Sequence, residues 1–223
     1  MKIQNSVAVV TGGNRGFGRL LAAQLLERGA AKVYVGARNP ASVDLPGVVP
    51  LQLDVTDPAS VARAAEIAGD ATLVINNAGI STHTSLLTGD LADVHREFDT
   101  NFFGTLSVLR AFTPVLERNG GAVLNVLSVL SWWHPAAYGA YSASKAASWA
   151  LTNAAREELA PAGVQVSGLH VGYMDTDMAS YVEPDRKTDP AVVAARALDG
   201  IEAGADEIIA DDITRTVKAG LAG

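Results

Sequence analysis

The chain has 223 residues, 48% of them hydrophobic and 18% charged, with 21 glycines and no cysteine. That length suits one α/β domain with a sizeable core, and the lack of cysteine excludes disulfides, thiolate nucleophiles and cysteine-ligated zinc or iron–sulfur centres. A net charge of −7, from 17 Lys and Arg against 24 Asp and Glu, offers no basic face for nucleic acid.

Short apolar runs alternate with helical patterns along the whole chain. Val7–Val10 reads as the first strand, and Thr11-Gly12-Gly13-Asn14-Arg15-Gly16-Phe17-Gly18 follows it into a helix from Leu20 to Glu27, closed by Gly29. Val33–Val35 is the second strand and Val48–Leu53 a weaker third. Asp57 before Pro58 is a side-chain cap with proline at the first helical position, predicting a helix over Pro58–Ile67. There follow a strand at Leu73–Ile75, a long helix from Thr100 to Glu117 and a strand at Val123–Leu127. A helix starting near Tyr138, a strand at Val164–Leu169, a helix over Ala191–Glu202, a strand at Glu207–Ala210 and a last helix over Ile213–Leu221 complete the order. Such alternation predicts a single α/β domain over residues 1–223, an open, doubly wound parallel sheet with helices on both faces. The uncharged stretch from Asn119 to Ser144 is interrupted by Asn125, Ser128, Ser131, His134 and Pro135. It reads as a buried strand leading into a polar site, not a membrane span, and a cytoplasmic protein is the expectation.

The glycine loop carries the first chemical signal. Glycines between a strand and a helix let the backbone approach a pyrophosphate, which the free N–H groups of the helix N-terminus receive. An NAD site expects an acid about twenty residues further on. Here the second strand runs out through Val35-Gly36-Ala37-Arg38. Arg38 offers a guanidinium fork for a 2′-phosphate and Arg15 a second cation, so NADP(H) is the expected cofactor.

Three further signatures stand at the ends of later strands: Asn76-Asn77-Ala78-Gly79, Ser128, and Tyr141-x-x-x-Lys145, whose spacing puts a phenol and an ammonium on one helix face. Taken in order with the loop at 11–18, Asp54 and Asn101, they resemble the classical branch of the short-chain dehydrogenase/reductase family, across nearly the whole chain. The resemblance implies a Rossmann sheet of about seven strands and reversible, NAD(P)-dependent interconversion of a carbonyl and an alcohol. It implies Tyr141 as general acid, Lys145 as the group that lowers its pKa and holds the nicotinamide ribose, and Ser128 as a second donor to the carbonyl oxygen. Asn101 would position a water in a relay to Lys145. Asp54 and Val55 would meet the adenine, Asn77, Ala78 and Gly79 the adenosine and ribose, and Gly172 and Thr176 the nicotinamide end. Val171 stands where the family usually has proline. A lysine charge about 4 Å from the phenol, at an effective dielectric of about 20, would supply ~4 kcal/mol and bring Tyr141 near neutrality.

In the same family the residues between the serine and the tyrosine line the substrate side. Trp132, Trp133 and His134 there suit an apolar, aryl-bearing ketone, or equally one tryptophan under the loop and the other at a subunit contact. Tyr138, whose fourth neighbour is Ser142, is either pocket wall or structural tyrosine. Met178 to Lys187 would form a lid, with Tyr173, Met178 and Tyr181 facing substrate. The four histidines have no metal-like spacing. The partners expected are a small-molecule carbonyl or alcohol and a second copy of the chain, a dimer through residues 102–117 and 138–160, with a tetramer left open. The rival reading is a non-catalytic NADP-binding regulator, which has no use for the Tyr141–Lys145 pair.

Overall fold

Consecutive residues of a strand face opposite sides of its sheet, and here both sides are apolar. In the computed structural model, which describes residues 1–221, β1 (Val7–Thr11) sends Ala8 and Val10 into one core and Val9 into the other. β2 (Lys32–Ala37) divides Val33 and Val35 from Tyr34 in the same way, and β4 (Leu73–Asn76) divides Leu73 and Ile75 from Val74. A sheet buried on both faces needs helices on both. With β3 (Val49–Gln52), β5 (Ala122–Val126), β6 (Gln165–His170) and β7 (Glu207–Ile209) it forms one seven-stranded parallel sheet in the order β3-β2-β1-β4-β5-β6-β7. The direction of winding reverses between β1 and β4, the crevice where open α/β sheets take ligands.

Helices α1 (Gly16–Glu27) and α6 (Pro190–Ala203) cover one face through Leu21, Leu25, Val193, Leu198 and Ile201. Helices α2 (Pro58–Ile67), α4 (Thr105–Asn119) and α5 (Gly139–Leu159) cover the other through Val61, Phe112, Leu116 and Leu159. The Asp57 carboxylate accepts the Ala59 N–H at 2.9 Å, so α2 begins where its cap dictates. Asp211 likewise caps α7 (Asp212–Gly220) through the Thr214 N–H at 2.8 Å. The weaker third strand is an edge strand, which is why it tolerates Pro50. No helix of the described residues is long and apolar enough to cross a membrane.

The single helix expected over Thr100–Glu117 is corrected. A polar helix, α3 (Leu91–Phe98), comes first, and a π-helical turn over Asp99–Gly104 joins it to α4. Within this turn the Asn101 carbonyl accepts two side-chain hydroxyls, Thr105 Oγ1 at 2.8 Å and Ser148 Oγ at 3.0 Å. Such π-bulges concentrate at functional sites.

Candidate active site

A cleft of about 860 Å3 lies along the carboxyl ends of the strands. At one end is the glycine loop. Gly16 has φ +53°, a left-handed value, and a Cβ there would project into open space, so the loop leaves a cradle above it. At Gly18 a Cβ would stand 2.5 Å from both Asn77 Nδ2 and the Gly12 carbonyl oxygen, so only glycine lets α1 start this close to β4. Asn77 is the clamp: Nδ2 donates to the Thr11 and Gly12 carbonyls at 2.9 and 3.2 Å, and the Asn77 and Ala78 N–H groups both reach Thr11 Oγ1 at 3.0 Å. The N-terminus of α1 has no side-chain cap, which leaves its N–H groups for an anion. All these features fit a dinucleotide pyrophosphate.

Gly12, Asn14, Arg15, Gly16, Phe17, Gly18, Arg38, Asp54, Val55, Asn77, Ala78, Gly79, Gly172 and Thr176 all line this cleft. Arg38, at the outer end of β2, is exposed and makes no ion pair among the described residues. Arg15 departs from expectation. Instead of standing free beside Arg38, it crosses the cleft to Asp177 at 3.3 Å, both side chains well exposed. The Asp54 carboxylate holds the Thr56 N–H and hydroxyl at 3.0 and 2.7 Å, shaping the turn after β3. Gly172, despite Val171 in place of proline, is held by its N–H on the buried Asp211 at 2.6 Å, so the side chain that caps α7 also fixes this turn.

Further along lie Ser128, Tyr141 and Lys145. Ser128 follows β5, and its hydroxyl accepts the Leu130 N–H at 3.1 Å. Lys145 is buried and donates from Nζ to the Val126 carbonyl at 2.8 Å, 5.7 Å from the Tyr141 ring centroid. Burial pushes the Tyr141 phenol above its ordinary value; the neighbouring Ser128 hydroxyl pulls it back and the Glu97 carboxylate adds to the rise. Burial also brings Lys145 down to about 8. The expectation of a near-neutral Tyr141 is therefore corrected: desolvation of the phenolate is the largest influence on it, and the lysine expected to lower it is itself desolvated. Asn101 lies just outside the cleft. Its side chain bonds both the N–H and the carbonyl of Ile80, at 2.9 and 3.0 Å, and Ser144 Oγ at 2.9 Å. A Cβ on Gly79 would come 3.1 Å from Asn101 Oδ1 and 3.7 Å from Lys145 Nζ, so this glycine keeps the gap between them open.

On the substrate side, Trp133, Tyr138, Tyr173, Met178 and Tyr181 line the cleft. Trp132 does not. It is buried and stacks on His170, centroids 3.8 Å apart at 17°. His134 is exposed and also outside the cleft. The 3-10 turn over Val129–Ser131 is the reason: it turns Trp132 inward against the sheet and leaves only Trp133 facing outward into the cleft. Among the lining residues that the sequence did not mark out are two with side chains able to bind substrate, His83 and Arg186. His83 has φ +57° and no motif around it, and neither position carries a pattern that marks it out.

A parallel sheet with a glycine cradle at its switch point and a Ser–Tyr–Lys set beside it defines a dinucleotide-binding oxidoreductase. The family model for short chain dehydrogenases matches residues 6–187, and the chain belongs to that family. It is 42% identical to a short chain dehydrogenase from Burkholderia cenocepacia solved in complex with NADP; the match has a TM-score of 0.97 and covers 100% of this chain and 95% of that one. It is 33% identical over 211 residues to an uncharacterized oxidoreductase of Staphylococcus aureus, covering 88% of this chain and 90% of the relative. An NADPH-dependent 1-acyldihydroxyacetone phosphate reductase of Schizosaccharomyces pombe is 34% identical over 188 residues, which is 81% of this chain but only 63% of that protein's length.

Proposed function

We propose that the chain is an NADP(H)-dependent oxidoreductase that reduces a ketone or aldehyde to an alcohol and runs in reverse. The observation that carries this reading is that a half-buried tyrosine, its serine neighbour and a buried lysine share one cleft with the glycine cradle. Bound NADP(H) supplies or accepts the hydride.

The rest is the work of this chain. Tyr141 gives its proton to the carbonyl oxygen, and burial keeps that proton on the phenol at neutral pH until a carbonyl is there to take it. Ser128 donates a second hydrogen bond to the same oxygen. Lys145 holds the nicotinamide ribose and stabilises the phenolate left after transfer. Asn101 shapes the polar gap at Gly79 through which a proton relay reaches Lys145. Arg38 binds the 2′-phosphate, a role supported by its having no ion pair among the described residues and by the NADP bound in the Burkholderia structure and the NADPH dependence named for the yeast relative. Thr176 and Gly172 hold the nicotinamide end, Asp54 and Val55 the adenine. The substrate has an apolar or aryl part against Trp133 and Met178, both about half exposed at the mouth of the cleft. A homodimer through α4 and α5 is the assembly we favour, with Phe103, just before α4, exposed at 54%.

The test is NADPH consumption with a panel of aryl and aliphatic ketones and aldehydes. Turnover of at least one, slower with NADH, supports the reading. Tight NADPH binding with no turnover of any carbonyl contradicts it and favours a regulator.

A further inference from the structure

Four cations line the cleft: Arg15, Arg38, Lys145 and Arg186. Arg15 is paired with Asp177, and Lys145 is engaged by Val126. Arg38 stands at the adenosine end. Arg186, in the turn Pro184–Arg186 of the lid, is exposed and its side chain has no ion pair or hydrogen bond among the described residues. The nearby lid cation, Lys187, is by contrast bound to Asp175 at 2.6 Å. Of the two lining cations without an ion pair among the described residues, Arg38 and Arg186, it is Arg186 that sits at the substrate end.

Between Arg186 and the catalytic phenol lies a cluster of aromatic side chains. Tyr173 and Tyr181 meet edge-on at 6.3 Å, Tyr181 and His83 at 4.6 Å, His83 and Tyr138 at 5.4 Å. The groups are close enough to act on one another: Arg186 acts on Tyr173, Tyr138 on both Tyr173 and Tyr181, and Tyr141 on Tyr181. Partial burial and crowding push Tyr173 up to about 12 and Tyr181 higher still, so both are hydrogen-bond donors at neutral pH. A row of hydroxyls ending on a guanidinium suits polar, negatively charged matter better than hydrocarbon. In a protein of net charge −7 a local cation is also what draws an anion in.

We propose that the substrate carries an anionic group, a carboxylate or a phosphate, that binds Arg186, with the Tyr138, Tyr173 and Tyr181 hydroxyls bonding the part between that group and the carbonyl at Tyr141. The inference rests on the oxidoreductase reading only for the identity of the reacting carbonyl. The apolar wall of Trp133 and Met178 then faces the chain that joins the two ends.

The experiment uses protein saturated with NADP(H), so that Arg38 is already occupied. Binding is read from tryptophan fluorescence, since Trp133 lines the cleft, with glutarate against dimethyl glutarate and glycerol 3-phosphate against glycerol. The wild type should bind at least one anion about tenfold tighter than its neutral partner; Arg186→Gln should lose that advantage and Arg186→Lys keep part of it. The stronger of the two anions names the group. In turnover, the kcat/KM ratio of 4-oxopentanoate to its methyl ester should fall about tenfold in Arg186→Gln. Equal binding of anion and neutral partner by the wild type, or a ratio indifferent to Arg186, overturns the inference. Anion binding that depends on Arg186 without turnover of any carbonyl upholds it while overturning the oxidoreductase reading; reduction of ketones with no preference for an anion does the reverse.

Discussion

The Lys145 ammonium stands 5.7 Å from the centre of the Tyr141 ring, the lysine buried and the tyrosine half-buried at the cleft, and the ammonium is tied to the Val126 carbonyl. Burial moves the two groups in opposite directions, the phenol up and the ammonium down to about 8. The proposed reduction needs a protonated phenol and a charged lysine together. That combination exists below about pH 8 and is lost above it as Lys145 gives up its proton. The kcat/KM for carbonyl reduction is therefore expected to be flat through neutrality and to fall through pH 8; a rise through that range speaks against the pairing.

The same burial has a cost in stability. The Lys145 pKa is depressed from 10.5 to about 8, so between those values the unfolded chain binds a proton that the folded one does not. Stability contributed at this position rises with pH across that window and is lowest below it. Lys145→Met is expected to abolish activity and yet to stabilise the fold, by up to about 3 kcal/mol at pH 7 and by little above pH 10.5. Urea unfolding at both pH values measures the difference, and a variant less stable than wild type at pH 7 would go against it.

Arg38 and Arg15 separate cleanly. Arg38→Asp is expected to weaken NADPH at least about tenfold more than NADH, since it replaces an unpaired cation with an acid. Arg15→Ala removes one half of an exposed ion pair with Asp177 and should discriminate little between the two cofactors. Dissociation constants for both cofactors decide; equal losses in Arg38→Asp remove its 2′-phosphate role.

Much of this fold was legible because the strands are apolar on both faces. Val7–Val10, Leu73–Ile75 and the runs around them cannot be anything but buried, and Asp57-Pro58 announces its own helix. Helix α3 spans only eight residues, so its signals are short, an Asp90 cap with Leu91, Val94 and Phe98 at helical spacing, and at the π-turn the Asn101 carbonyl takes hydroxyls from Thr105 and Ser148, one of them on another helix. Ordered motifs brought the Ser128, Tyr141 and Lys145 set within reach of the sequence. What no local pattern could reveal was long-range: Asp177 as the partner of Arg15, Asp211 behind Gly172, and which of two adjacent tryptophans turns inward.

That inward tryptophan stacks on His170, which is fully buried and has its pKa lowered to about 4, first by desolvation. Below its free value of 6.5 the unfolded chain takes up a proton that the folded histidine refuses, so this contribution is complete above pH 6.5 and drains away as pH falls toward 4. The wild type should lose up to about 3 kcal/mol over that range beyond what His170→Phe loses. Unfolding free energies at pH 7, 5 and 4 test it; parallel curves for the two proteins would rule it out.

The central claim is that Tyr141 delivers the proton. The most direct measurement is single-turnover NADPH oxidation by Tyr141→Phe and wild type with one reducible ketone, alongside NADPH binding to each. The account predicts NADPH affinity within about threefold of wild type and a hydride-transfer rate lower by at least ~10²-fold. A Tyr141→Phe protein that binds NADPH and reduces the ketone at the wild-type rate would contradict it.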